Sequence, residues 1–137
     1  MKYKISKEVI PQDMREELNK KIEFIVNQNL SEEETGVTKE DIFNAYTGKG
    51  GLHGLKYKDF DNYARYQEAK SGIEQGQFFT PYPLVELIYT CLHISDTDLI
   101  ADLTSGHGAF ASCAPIESNF YGCEVDIQAY RVSRYLY

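Results

Sequence analysis

The sequence is short of positive charge, poor in cysteine and without a long apolar run, and each shortage closes off a class of function. Its 14 Lys and Arg stand against 21 Asp and Glu, a formal net charge of −7. That balance opposes attraction to a phosphate backbone, so any nucleic acid must be held mainly by something else. Cys91, Cys113 and Cys123 are an odd number with no CxxC or Cys/His spacing. They suggest neither a disulfide framework nor a zinc site, and they fit a reducing cytoplasm. No segment approaches the roughly 18 apolar residues of a membrane span. Met1 to Ile10 alternates charged with apolar residues where a signal peptide would carry an apolar stretch. A phosphate loop of the form GxxxxGK followed by Ser or Thr is absent as well. Gly48-Lys49-Gly50-Gly51 sets glycines beside a lysine, but Lys49 is followed by Gly50 and the segment follows a helical pattern, so it reads as a flexible connector.

What is present is enough for a core. A chain of 137 residues with 42% hydrophobic content has the length of one ordinary domain, and 11 tyrosines set it apart from low-hydrophobicity disordered chains. Met14, Leu18, Ile22, Ile25 and Val26 recur at helical spacing, and Pro11 stands where helices commonly start, which predicts an amphipathic helix from 11 to about 29. Residues 31–36 form a polar, acidic break. Thr38 caps a short helix carrying Ile42, Phe43 and Tyr46, and residues 57–70 form a third helix closed by Gly72.

The character changes at Ile73. Pro81 and Pro83 open a helical run through Leu84, Val85, Leu87, Ile88 and Leu92. Residues 98–103 have the form of a buried parallel strand, 106–114 of a glycine-initiated helix, 120–125 of a second strand, and 126–137 of a further helix. This order signals a doubly wound α/β sheet. The expected division is a helical region over 1–72 and an α/β unit over 73–137.

The chemistry-bearing residues cluster at the strand ends. In Asp102-Leu103-Thr104-Ser105-Gly106-His107-Gly108, two glycines at i and i+2 let the backbone turn sharply and approach a ligand. Glu124 stands 22 positions after Asp102, where an acidic side chain accepts hydrogen bonds from ribose hydroxyls. There is no GxGxxG, and the acidic Asp102 at the head of the loop would repel a pyrophosphate but can hold a cationic ligand. Together these features describe an adenosine site for a cofactor such as S-adenosylmethionine, which carries an ammonium and a sulfonium. The blander reading of the same residues is a tight turn with Asp102 as a helix cap. His107 reads as incidental rather than as a catalytic base.

Upstream, Gly76-Gln77-Phe78-Phe79-Thr80-Pro81 resembles the Gly-Gln-(Phe/Tyr)-Phe-Thr-Pro segment of N6-adenine DNA methyltransferases, especially the modification subunits of type I restriction systems. Asp102, Gly106 and Gly108 match that family's Asp-x-x-x-Gly-x-Gly loop, and Gly122-Cys123-Glu124-Val125-Asp126 its Gly-x-Glu-(Ile/Val)-Asp strand end. Leu103 and His107 depart from the residues common there. The resemblance covers 73–137. It implies a Rossmann-like methyltransferase unit with parallel strands that binds S-adenosylmethionine through Thr80, Asp102, Thr104, Gly106, Gly108 and Glu124. Thr80 would reach the methionine carboxylate, and Glu124 the ribose.

The family's adenine-recognition segment, (Asn/Asp/Ser)-Pro-Pro-(Tyr/Phe), has no counterpart, because no Pro-Pro occurs. The expectation is therefore an incomplete unit, inactive alone, that meets DNA through a further part or another subunit of a restriction-modification system. The alternative is a stand-alone cofactor-binding or subunit-docking module. Two strands without flanking neighbours would also present open edges, which predicts self-association or cover from the N-terminal helices.

Overall fold

The structure, a computed structural model, describes residues 2–74, 80–116 and 119–137. Helix α1 (Gln12–Gln28) begins after Pro11 and ends at Asn29, whose left-handed backbone donates its N–H to the Ile25 carbonyl. Its buried stripe differs from the expected one. Ile22, Ile25 and Val26 are inside, but Met14 is exposed and Arg15 and Asn19 take the buried positions. The reason is the connector between residues 48 and 54, which folds against α1. Asn19 donates to the Gly51 carbonyl at 3.4 Å, and its Oδ1 lies 2.8 Å from the His53 Nε2. His53 is buried in a left-handed conformation, so the glycine-rich segment is a pinned turn.

The acidic break at 31–36 contains a one-turn helix, α2 (Glu32–Thr35), held by a Ser31–Glu34 capping box and closed by Gly36. Helix α3 (Lys39–Phe43) has its own capping box, Thr38 with Asp41, and runs into a π turn at Asn44–Gly48. The third expected helix is divided. Residues Tyr57–Asp59 form a 3₁₀ turn, and α4 (Tyr63–Glu74) starts afresh where Asn62 Oδ1 accepts the Arg65 N–H. Helix α4 passes through Gly72 rather than ending there. One interior glycine costs about 1 kcal/mol, too little to end a helix by itself.

Helix α5 (Tyr82–Leu92) follows Pro81 and carries Pro83 in its first turn. Strands β1 (Ile100–Asp102) and β2 (Phe120–Gly122) pair in parallel with Ala101 opposite Tyr121, so the chain is a mixture of helix and parallel strand. Both strands are shorter than expected, because side chains at their ends take turns of their own. Asp98 accepts from the Ser95 N–H and hydroxyl, and Asp102 Oδ1 accepts from the Thr104 N–H. The expected helix at 106–114 is instead a series of turns ending in a 3₁₀ turn at Ala111–Cys113. Gly106 and Gly108 both have positive φ, and Pro115 disfavours helical backbone at Ala114, which leaves no room for a helix between them.

Helix α6 (Ile127–Leu136) is capped by Asp126, which accepts from the Ala129 N–H. It crosses back to the N-terminal region, so the hydrophobic core draws on both sides of residue 72. Ile22, Ile25, Ile42, Phe43, Tyr82, Val132 and Leu136 form one cluster. Hydrogen bonds from Tyr3 to the Leu136 carbonyl and from Tyr135 to the Leu30 carbonyl, each 2.6 Å, fasten the same join. Among the described residues, no helix is long and apolar enough to cross a membrane.

Candidate functional site

The loop after β1 is stitched to the end of β2. Cys123 N–H donates to the Asp102 carbonyl, and its carbonyl accepts from both the N–H and the hydroxyl of Ser105. The ladder therefore continues beyond the assigned strands. Gly122 is the point of closest approach, since a Cβ there would lie 2.9 Å from the Ser105 hydroxyl. Glu124 completes the join. One carboxylate oxygen accepts the Gly106 N–H at 2.7 Å, and the other accepts the Asp126 N–H at 2.8 Å. A carboxylate offers about four lone-pair directions, so Glu124 can hold the loop and still accept from a ligand.

These elements wall a cavity of about 350 Å³, a volume within the range of small-molecule sites. Thr80, Asp102, Thr104, Gly106 and Glu124, five of the six positions singled out in the sequence, line it together. The sixth, Gly108, lies behind the wall. Its φ is +86°, and a Cβ would stand 2.7 Å from the Tyr137 ring and 2.8 Å from the Ser133 hydroxyl, so it serves the packing of the loop on α6. Residues 76–79 of the Gly-Gln-Phe-Phe-Thr-Pro segment lie outside the described residues, whereas Thr80 and Pro81 are described.

The cavity also takes residues that sequence reasoning did not assign to it. Tyr46 and Thr47 reach it from the π turn, Ser105, Ala109 and Phe110 from the loop after β1, and Val125 from beyond β2. The π turn is the reason for the first pair, and nothing in the local sequence signals it. Ser105 and Phe110 were within reach of the loop motif. Phe110 is fixed from behind by the Tyr89 hydroxyl, which donates to its carbonyl at 2.8 Å.

Electrostatically the lining is one-sided. Asp102 and Glu124 face the cavity with no lysine or arginine among the described lining residues, an arrangement that suits a cationic or hydroxyl-rich ligand and disfavours a phosphorylated one. His107 does not offset this, because burial pushes its imidazole down to about 4 against the opposing pull of Asp126 and Glu124. Neutral at ordinary pH, it packs on the buried Tyr46 ring at 4.8 Å. Burial likewise holds the Tyr46 hydroxyl up at about 12, so this pair forms an uncharged partition. Among the described residues, no group of three His, Cys, Asp or Glu side chains could hold a metal ion. Compared with family models, with curated proteins and with solved structures, the chain matches none.

Proposed function

We propose that this chain is the S-adenosylmethionine-binding part of an N6-adenine DNA methyltransferase of a restriction-modification system. The observation that carries the reading is convergence. Thr80, Asp102, Thr104, Gly106 and Glu124 were named from motifs spread over 45 positions, and they border one cavity. The cofactor suits that lining, since its ammonium and sulfonium charges complement two carboxylates and its ribose hydroxyls complement the free lone pairs of Glu124. When bound it would supply the methyl group. Asp102 and the turn at Gly106 would hold the methionine part with Thr80, while Glu124 would hold the ribose and keep the loop closed through Gly106.

Transfer to adenine needs a second half that these residues do not provide. Alignment of the reacting atoms can contribute on the order of 7–11 kcal/mol to such a reaction, and the sequence has no Pro-Pro segment to grip an extruded base. DNA is then engaged by a further part or another subunit, in keeping with the net charge of −7. The chain alone is expected to transfer no label from cofactor to adenine, in duplex or single-stranded DNA.

One observation favours a second reading, a cofactor-binding module whose role is to dock another subunit or a second copy. Leu84, Leu87, Leu92, Leu99 and Leu103 are all exposed, and a partner that covered them would take this apolar surface out of water. Titration calorimetry with S-adenosylmethionine tests the shared premise. The expected result is saturable binding that Glu124→Ala weakens by about 1–3 kcal/mol, the usual loss when a buried partner goes unmet. Unchanged affinity in that variant places the ribose elsewhere, and no binding by the natural chain removes the proposal.

A further inference from the structure

Thr47 is 6% exposed, and among the described residues its buried hydroxyl has no hydrogen-bond partner. Buried polar side chains in folded proteins are overwhelmingly satisfied, so an orphan on a cavity wall asks for an explanation. The local backbone explains how it came to be there. After α3 the chain makes a π turn, closed by the Lys49 N–H on the Asn44 carbonyl at 3.2 Å. Asn44 braces that turn on three sides, donating to the Lys4 and Glu40 carbonyls and accepting the Ser6 N–H. The extra residue lets Ala45, Tyr46 and Thr47 be buried in succession, and such turns concentrate at functional sites. Ala45 and Tyr46 join the core, and Tyr46 and Thr47 border the cavity.

The cavity has two distinguishable ends. Tyr46, Thr47 and Thr80 also border an adjoining cavity of about 320 Å³, whereas Glu124 and Val125, like Asp102 and Thr104, border only the first. If the ribose lies at Glu124, as proposed above, the amino-acid end of the cofactor points toward the two threonines. We infer that Thr47, supplied by the N-terminal helical region, donates its hydroxyl to the α-carboxylate of that amino-acid end beside Thr80, while Asp102 takes the ammonium. The N-terminal helices are then part of the cofactor site, and Thr47 is a residue by which the chain tells the complete cofactor from adenosine lacking the amino-acid end.

Thr47→Val removes the hydroxyl and keeps the shape, so stability and affinity should move apart. Loss of an unmet buried hydroxyl leaves the melting temperature of the ligand-free protein unchanged or higher. Affinity for S-adenosylhomocysteine, a non-reactive ligand with the same amino-acid end, is expected to fall about tenfold. Affinity for methylthioadenosine, which lacks that end, stays constant, and Thr47→Ser restores the tighter binding. Unchanged affinity of Thr47→Val for S-adenosylhomocysteine, with the natural chain binding well, overturns the inference about Thr47 alone. Equal losses on both ligands overturn it too, because Thr47 would then only shape the cavity. Should the valine variant fold poorly, Thr47→Ala is read against the same two ligands. If the natural chain binds neither ligand, the cofactor reading falls and this inference falls with it.

Discussion

Around α1, α3 and α6 the apolar side chains are closed in, and Ile22, Ile25, Ile42, Phe43, Val132 and Leu136 are all fully buried. At the strand end of the molecule the same kinds of residue lie open. Leu99 and Leu103, flanking β1, are 75% and 76% exposed, and Val125 beyond β2 is fully exposed. A parallel strand is ordinarily covered on both faces. The contrast teaches that the two regions carry different burdens. The helical core holds the fold together, and the strand end presents a cavity and an apolar surface whose cost the core must offset.

The sharpest way to break this comparison is to damage each region in turn. Phe43→Ala should cost about 3–5 kcal/mol of stability, as large-to-small changes in closed cores do. Leu103→Ser should change it by less than about 0.5 kcal/mol. Denaturant unfolding measures both, and similar losses would mean that the strand end is held as tightly as the core. Acid should act at the seam between the regions, where His107 meets Tyr46. Its folded pKa of about 4 lies below the ordinary 6.5, so the unfolded chain binds the proton first as pH falls. The contribution of His107 is complete above 6.5 and is lost towards 4, at up to about 1.4 kcal/mol per pH unit. His53, also held at about 4 by burial, adds in the same direction. The comparison of His107→Gln with the natural chain across that window isolates the first, and identical slopes would contradict it. A smaller effect, about 1–2 kcal/mol, is expected for Gly108→Ala, where φ of +86° and the Tyr137 ring both oppose a side chain. Thermal melting reads it.

The sequence was most legible where local chemistry decides the outcome. Capping at Thr38 and the proline-led start of α5 follow from residues near at hand, and the parallel pairing of two apolar segments from their order along the chain. The convergence of five separated positions on one cavity was legible through their motifs. Burial was less so. The pattern in α1 points to Met14, but the connector carrying His53 covers Arg15 and Asn19 instead, a long-range contact that no window of α1 contains. The π turn and Thr47 were not legible, since its bracing runs from Asn44 to Lys4 and Ser6 across the chain. The break at Ile73 describes a change of pattern, but α6 from the second part completes the core of the first.

The central claim is that the cavity between the β1 loop and the β2 end takes an adenosine cofactor in a defined orientation. The most direct measurement is a crystal structure of the protein grown with S-adenosylhomocysteine. The account predicts the ribose hydroxyls within hydrogen-bonding distance of the Glu124 carboxylate, the ammonium beside Asp102, and the carboxylate beside Thr80 and Thr47. A ligand lying the other way round, with its ribose against Thr80, or one bound away from this cavity altogether, would contradict it.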